Sequence, residues 1–192
     1  SAAVVNSAEL EDVRELIRKA KPDVVINAVD PRFVMPIFLA CEIEKTNYMD
    51  MAMSLSRPHP HYPYTETGVR VGDEQFARDW NWSEKQIYAL IGMGVEPGMS
   101  DVFAKYASDH LFSRIDSITV LDGSNLVVEG YEFAPSFSIW TTIEECLNPP
   151  LVWEDGRGWF TTEPFSEEET FDFPEGIGPV QCVNVEHEEV VL

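Results

Sequence analysis

The first part of the chain follows a pattern in which helical and strand-like stretches alternate. Apolar residues recur at helical spacing over 10–20, directly after a sequence typical of a capping box at 6–9, so a helix over about 8–20 is predicted. The next apolar run, VVINAV at 24–29, is continuous and rich in β-branched residues. It indicates a strand buried on both faces, as in the interior of a parallel sheet.

The alternation continues to about residue 112. The predicted elements are a helix over 33–45 that is kinked or begins near Pro36, a strand over 47–53, a helix over 72–85, a strand over 86–92 and a helix after Gly98. A stretch rich in Pro, His and Tyr at 56–68 shows neither the helical nor the strand spacing of apolar residues, and it is predicted to be a loop. Because strands joined by helices pair in parallel, residues 1–112 are predicted to form part of a doubly wound α/β domain.

The residue pattern changes after residue 112. Strand-like segments such as SITVLDG, NLVVEGYEF and VQCVNVEHEEVVL are separated by turn residues, with one helix expected around 138–147. Residues 113–192 are therefore predicted to form part of an α+β lobe with a mixed or antiparallel sheet. The chain starts with a helix that would normally precede the third or fourth strand of a doubly wound domain, and it stops inside a strand-like run. We therefore expect a piece of a longer, truncated protein.

The charge balance narrows the classes of partner. The 192 residues carry 13 Lys and Arg against 34 Asp and Glu, a formal net charge of -21, which repels phosphate backbones and anionic lipids. Nucleic acid and membranes are therefore not expected as partners. The three cysteines are far apart and no leader-like segment opens the chain, so a reduced, cytoplasmic protein is predicted.

The stretch GMGVEPG at 92–98 follows a strand, precedes a helix and has three interpretations. Its spacing resembles a dinucleotide fingerprint with one extra residue, and Asp122 lies where a ribose-binding acid would. Against a phosphate site, Glu96 places a carboxylate at the helix start and Pro97 removes a backbone N–H. The turn is equally explained as a structural helix start, or as a ligand-facing turn at the crevice beyond the strand ends.

Two stretches carry a likeness to a known family. VVINAVDPRFVMPIFLACEIEKTNYMDMA, followed by ALIGMGVEPGMSDVFAKYA, is similar to the second half of the nucleotide domain of saccharopine dehydrogenase-like proteins, including saccharopine reductases and carboxynorspermidine dehydrogenases. Residues 130–156 resemble the substrate-domain segment of that family. The resemblance implies a Rossmann-like domain that binds NAD or NADP, a second lobe that covers the substrate and forms a homodimer, and hydride transfer at the C–N bond of an amino-acid or polyamine-type substrate.

The resemblance also implies roles for individual residues. Glu96 is the implied site acid, able to orient an amine or to relay a proton through water. The residues implied at the cofactor are Ala28, Val29, Asp30, Pro31, Ala52, Met53, Pro97 and Gly98. The residues implied at the substrate are Ser54, Tyr131, Phe133 and Trp140. The structural alternatives are that Glu96 is an exposed charge at a helix start and that the aromatic residues belong to a core.

The chain departs from the family pattern in two respects. The usual Asp-Pro-Gly is Glu96-Pro97-Gly98 here, so the reach of the acid differs by one methylene. The first strand, the glycine-rich phosphate turn and the residue that selects NAD or NADP do not occur in this sequence, so the chain alone is not expected to bind a dinucleotide as the family does. His59 and His61 have no further ligand residues nearby, and no metal site is predicted.

Three hypotheses follow from the sequence. The first is a fragment of an NAD(P)-dependent oxidoreductase. Since Arg157 is the one Lys or Arg after Glu129, a cationic amine of the polyamine kind fits better than a substrate with three carboxylates. The second is a non-catalytic, truncated domain that serves association or folding through exposed strand edges. The third is a minimal nucleotide module that uses 92–98 as its phosphate turn.

Overall fold

The computed structural model describes residues 2–123, 127–132, 134 and 138–186. These residues form two compact units. The first unit holds the residues up to Ser56 together with Val69–Phe112, and the second holds Arg57–Gly68 and the residues from Ser113 onward. The first unit contains parallel strands and the second contains antiparallel hairpins.

The first unit is built on a parallel sheet in the spatial order β1-β2-β3. Its strands are β1 (Val24–Asn27), β2 (Asn47–Asp50) and β3 (Ala89–Leu90). Asn27 pairs with Asp50 at the carboxyl ends of β1 and β2, and Met49 pairs with Leu90 of β3. The predicted parallel α/β arrangement is confirmed, and all three strands end at the same edge of the sheet.

Helices connect the strands and build the core of this unit. They are α1 (Leu10–Ala20), α2 (Val34–Glu44) with a 3-10 turn at Pro31–Phe33 before it, α3 (Asp73–Phe76), α4 (Asp79–Glu84) and α5 (Met99–His110). Val13 and Ile17 of α1 pack against α2. Phe38 of α2 lies between Tyr48 and Trp82, with ring centroids at 5.3 and 4.7 Å. This aromatic cluster is the centre of the core.

Some elements are shorter than the sequence predicts. The first helix begins at Leu10 because Asn6 Oδ1 accepts the Ala8 N–H at 3.2 Å and forms a turn there instead of a cap. The helix predicted over 72–85 is divided into α3 and α4, and the strand predicted over 86–92 is reduced to β3.

The prediction that the first strand is buried on both faces is wrong. Val25 packs on the core, whereas Val24 and Ile26 on the other face are 44% and 59% exposed. Leu90, in register with Ile26 through Met49, is 48% exposed. The cause is that the helices of the described chain cover one face of β1, and a strand covered on one face alternates between buried and exposed positions.

The described residues of the second unit form one longer helix and two hairpins. These are α6 (Ile139–Leu147), the hairpin of β4 (Leu151–Glu154) with β5 (Gly158–Thr161), and the hairpin of β6 (Ser166–Phe173) with β7 (Gly178–Asn184). The predicted helix and the antiparallel strands are confirmed, but residues 117–123 form no strand. Part of NLVVEGYEF lies outside the described residues. The fold class is therefore α/β, a partial Rossmann-like sheet followed by antiparallel hairpins.

Candidate functional site

A buried carboxylate lies at the carboxyl end of the central strand. Asp50 is the last residue of β2 and is 0% exposed. Its Oδ2 accepts hydrogen bonds from the Tyr48 hydroxyl at 3.0 Å and from Gln75 Nε2 at 2.8 Å. Its Oδ1 accepts the Gly92 backbone N–H at 2.7 Å. Within the described residues, no Lys, Arg or His is paired with this carboxylate.

Hydrogen bonds continue from Tyr48 to the end of β1. Asn27 is 4% exposed and donates from Nδ2 to the Tyr48 hydroxyl oxygen at 2.9 Å. The Asn27 Oδ1 accepts the backbone N–H of Val29 at 3.2 Å. The backbone just after β1 is therefore connected to Asp50 through two buried side chains.

The same carboxylate is connected to the chain after β2 and β3. Gln75 is 2% exposed, and its Oε1 accepts the backbone N–H of Ser54 at 2.7 Å. The Met93 N–H donates to the Asp50 carbonyl oxygen at 2.9 Å, next to the Gly92 bond. We call the side chains of Asn27, Tyr48, Asp50 and Gln75 the strand-end network. It contacts the segments that follow all three strands.

Burial dominates the ionisation of this network. Burial raises the pKa of Asp50, and hydrogen bonds from Gln75, Gly92 and Tyr48 oppose that rise. Burial also raises the pKa of Tyr48, and the nearby Asp50 charge adds to the rise. The Tyr48 hydroxyl consequently keeps its proton and acts as a donor toward Asp50.

Four backbone N–H groups of the turn at 92–98 donate to acceptors within the protein. The N–H groups of Gly92 and Met93 donate to Asp50, as described above. The Gly94 N–H donates to the Pro97 carbonyl oxygen at 2.9 Å, and the Gly98 N–H donates to Asp101 Oδ2 at 3.0 Å. A phosphate loop needs such groups directed at the ligand, so this geometry disfavours a phosphate site.

The glycines of the turn are explained by close packing. A Cβ at Gly98, where φ is +133°, would lie 2.5 Å from the carbonyl oxygens of Gly92 and Gly94. A Cβ at Gly92 would lie 2.7 Å from Met53 Cε and 3.1 Å from Pro97 Cγ. The turn therefore folds on itself and packs against the segment after β2, which requires residues without side chains at these positions.

The predicted cofactor residues after β1 lie at the surface. Ala28 and Val29 are exposed, and Pro31 begins the 3-10 turn. Asp30 is half-buried and accepts hydrogen bonds from the Arg32 Nε and backbone N–H at 2.9 and 3.0 Å. These bonds, the side-chain bond above all, lower the pKa of Asp30.

The predicted residues after β2 are less accessible. Ala52 is half-buried, whereas Met53 and Ser54 are 6% and 1% exposed. A Cβ at Gly72 would lie 2.5 Å from Met53 Sδ, so the loop before α3 covers this methionine. The Ser54 Oγ is buried and has no hydrogen-bond partner in the described structure.

The predicted residues of the third segment lie at the start of α5. Glu96 and Gly98 are half-buried and Pro97 is buried, with a cis peptide bond between Glu96 and Pro97. Pro97 and Met53 both pack at Gly92. The structure therefore brings together Met53 and Pro97 from two of the three predicted segments.

The aromatic residues predicted at the substrate belong to the second unit. Tyr131 is 71% exposed and Trp140, at the start of α6, is 58% exposed. Phe133 lies outside the described residues. An aromatic pocket formed by these three stays a prediction.

Sequence reasoning missed the strand-end network. One signal was available, because Tyr48 and Asp50 are two positions apart on a strand and therefore share a face. Asn27 and Asp50 are also polar residues at the ends of successive apolar strands. Gln75 carries no such signal, since it is one polar residue in a helical stretch.

Exposed apolar side chains surround the carboxyl edge of the sheet. They are Val29 at 47%, Met51 at 38%, Met93 at 45% and Val95 at 70% exposure, and we call them the apolar rim. Binding sites for flat organic rings are lined mainly by apolar groups, so the rim fits the nicotinamide ring of NAD(P). The turn does not fit the diphosphate, because four of its N–H groups donate to acceptors within the protein.

The described residues hold no group of three or more His, Cys, Asp or Glu that could bind a metal ion. His59 instead stacks on Tyr62 at 5.8 Å, and its Nδ1 accepts the Tyr62 N–H at 3.1 Å. Among these same residues, none of the helices is both long and apolar enough to span a membrane.

Known sequences are similar to this chain. Residues 1–90 match the family described as the saccharopine dehydrogenase NADP binding domain. The predicted resemblance to saccharopine dehydrogenase-like proteins is thereby confirmed over these residues.

Individual relatives are similar to almost the whole of this chain. The chain is 32% identical over 195 residues to the carboxynorspermidine synthase of Vibrio alginolyticus, and 32% identical over 189 residues to that of Vibrio cholerae. It is 26% identical over 194 residues to the carboxyaminopropylagmatine dehydrogenase of Synechocystis. Each match covers 98% of this chain and 44% of the relative. The chain therefore spans less than half the length of these relatives.

Proposed function

We propose that the chain forms the nicotinamide-facing part of an NAD(P)-dependent oxidoreductase acting on the C–N bond of an amino-acid or polyamine-type substrate. The observation that carries this proposal is the apolar rim at the carboxyl edge of the parallel sheet, because ligands of open α/β sheets bind beyond that edge. The family match over residues 1–90 supports NAD or NADP as the cofactor. When bound, the cofactor supplies or accepts the hydride.

The segments after the three strands are proposed to provide the cofactor side of this site and its acid. The cofactor side consists of Ala28, Val29, Asp30, Pro31, Ala52, Met53, Pro97 and Gly98. Glu96 is proposed to orient the substrate amine or to relay its proton through water, a role open to a half-buried carboxylate at a crevice. Ser54, Tyr131, Phe133 and Trp140 are proposed for the substrate.

The acidic composition favours a cationic substrate. A formal charge of -21 attracts amines and repels compounds with several carboxylates. The names of the Vibrio and Synechocystis relatives refer to carboxylated polyamines, which fits this preference. We therefore propose a polyamine-type substrate rather than saccharopine.

The test is a side-by-side turnover assay on the protein encoded by the longest reading frame that contains this chain. Carboxynorspermidine and saccharopine are each offered with NAD⁺ and NADP⁺, and the reduced nicotinamide is followed by absorbance. We expect turnover of carboxynorspermidine to be preferred. A preference for saccharopine would contradict the polyamine assignment, and no turnover of either compound would contradict the oxidoreductase.

A titration separates the roles proposed for the turn at 92–98. NADPH and NADH are titrated, by their fluorescence, against the 192-residue chain and against the longer protein. Binding by the longer protein alone fits a turn that serves the substrate side of the crevice. Equal binding by both would show that the turn holds phosphate in the manner of a minimal nucleotide module.

The alternative is a non-catalytic, truncated domain that serves association or folding. One observation favours it: apolar residues are exposed on one face of the sheet at Ile26 and Leu90, and on α5 at Val102 and Phe103, which are 64% and 65% exposed. Such surfaces favour association, including a homodimer. Light scattering over a range of concentrations tests this, and a monomer that does not change with concentration would count against it.

A further inference from the structure

The strand-end network connects three backbone segments through one carboxylate. We propose that Asp50 is a positioning residue, whose carboxylate sets the placement of the backbone at Val29, Ser54 and Gly92 relative to one another. This inference rests on the proposed function, because those segments carry the apolar rim and the residues assigned to the cofactor. Asp50 itself is 0% exposed, so the role proposed for it acts through those segments.

Three chains of hydrogen bonds, which we call arms, lead from Asp50 to the backbone after β1, β2 and β3. In the arm toward β1, each hydrogen bond can have its donor on one side only. The Val29 N–H can only donate, so Asn27 must present its Oδ1 there and its Nδ2 toward Tyr48. The Tyr48 oxygen accepts that bond and its proton is left for Asp50 Oδ2 at 3.0 Å. Reversing any one of these bonds would place two donors face to face.

The arms toward β2 and β3 are fixed in the same way. The Ser54 N–H requires the Gln75 Oε1, which directs Gln75 Nε2 at Asp50 Oδ2. The Gly92 N–H donates directly to Asp50 Oδ1 at 2.7 Å. The carboxylate thus faces three donors from these arms and has no acceptor beside its oxygens for a proton of its own.

Asp50 must therefore act as an acceptor at every bond. An amide at this position has one acceptor oxygen and one NH₂ group, which would face a donor of the network. Oδ2 accepts two of the three bonds and Oδ1 accepts one, so the amide of D50N loses fewest bonds when its NH₂ group faces the Gly92 N–H. The substitution therefore breaks the bond to Gly92 while leaving side-chain volume almost unchanged. A buried donor without an acceptor is destabilising, so the backbone at the broken arm moves.

A matched control is needed because any buried carboxylate contributes to folding. Glu42 on α2 is 1% exposed and is paired with Arg78 and Lys85, so it is also a buried carboxylate in the first unit. It has no hydrogen bond to the strand-end network in the described structure. E42Q should lower stability without displacing the strand ends.

The first measurement is amide hydrogen exchange by NMR on the 192-residue chain, which does not depend on enzymatic activity. We expect D50N to speed exchange at Gly92 about tenfold or more relative to the Tyr48 amide, which bonds to the Tyr88 carbonyl in the sheet. E42Q should leave that ratio unchanged. An unchanged ratio in D50N would overturn the proposal.

Two smaller substitutions keep the test decisive if D50N does not fold. Y48F removes the hydroxyl and should speed exchange at Val29 without affecting Ser54. Q75M should speed exchange at Ser54 without affecting Val29. If Y48F and Q75M each affected the Val29 and Ser54 amides equally, the two sets of hydrogen bonds would not be separate. That result would contradict the proposed network.

The second measurement is turnover by the longer protein. We expect D50N to lower kcat about tenfold to a hundredfold, since small displacements of a reacting group have effects of that size, while E42Q keeps kcat and KM. Normal kcat and KM in D50N would overturn the positioning role. If the unsubstituted protein shows no turnover, the proposed function fails, and the amide measurements still decide whether Asp50 holds the strand ends.

Discussion

The two units differ in how completely they bury their apolar residues. In the first, Phe38, Tyr48 and Trp82 are each 4% exposed or less. In the second, no Ile, Leu, Val, Met, Phe, Tyr or Trp of the described residues is buried, and Trp153 is 56% exposed. The first unit is held by packing between distant segments. The regular contacts of the second are hairpin ladders between neighbouring strands, supplemented by hydrogen bonds such as that from Thr161 Oγ1 to the Pro63 carbonyl oxygen at 2.7 Å. Regular strands are therefore no sign of a completed core.

The difference between the units predicts a large loss of stability at Phe38. F38A removes a ring that contacts Tyr48 and Trp82, so we expect the free energy of unfolding of the first unit to fall by about 3–5 kcal/mol. Denaturant unfolding followed by hydrogen exchange at β2 measures the change. A loss below about 1 kcal/mol would mean that the aromatic cluster is not the core of the unit.

The reactivity of the three cysteines compares burial in the two units without any substitution. Cys41 is 0% exposed, and burial raises its pKa from 9.0 to about 12, which lowers the thiolate fraction about a thousandfold. Cys146 and Cys182 of the second unit are half-buried. Timed alkylation with mass spectrometry should show these two modified in the native protein and Cys41 modified only on unfolding. Equal rates for all three thiols would contradict the buried core.

Glu42 predicts a smaller effect that depends on pH. Burial alone would raise the pKa of Glu42, but hydrogen bonds from Arg78 and Lys85 outweigh it and lower the pKa below 4.5. The ion pairs of Glu42 with Arg78 and Lys85 therefore stabilise the fold above about pH 4.5. This stability is lost as the pH falls through the pKa that Glu42 has in the folded state, which is the lower of its two pKa values.

E42Q removes that contribution and leaves two cations without their partner. We expect the free energy of unfolding at pH 7 to fall by about 1–3 kcal/mol. Unfolding curves at several pH values should also show a weaker loss of stability on acidification in E42Q than in the natural sequence. Parallel pH profiles for the two proteins would show that the ion pairs of Glu42 do not stabilise the fold.

The sequence predicts features that depend on near neighbours. The helix at Ile139–Leu147 and the alternation of helices with parallel strands follow from periodicity, since each repeats within a few residues. The exposed face of β1 could not be predicted, because an apolar run reads the same whether one or both faces are covered. Burial of a strand is decided by segments distant in the sequence.

The candidate site shows the same limit. Its position was predictable, because the ends of parallel strands meet at one edge of a sheet. The hydrogen bonds that hold it join residues 21, 25 and 42 positions apart, from Asn27 to Tyr48, Gln75 to Asp50 and Gly92 to Asp50. No local pattern relates residues at such separations, so the strand-end network was found only in three dimensions.

The smallest effect is expected at Phe171, which makes the matched comparison with Phe38. Phe171 on β6 is 40% exposed, lies 4.9 Å from the Phe173 ring and pairs with Val180 across the hairpin. Exposed cross-strand pairs contribute about 0.2–1 kcal/mol, so F171A should speed exchange at β6 and β7 amides slightly and leave those of β2 unchanged. A loss as large as that in F38A would mean that the ring is buried in solution, and that the second unit has a core its described residues do not form.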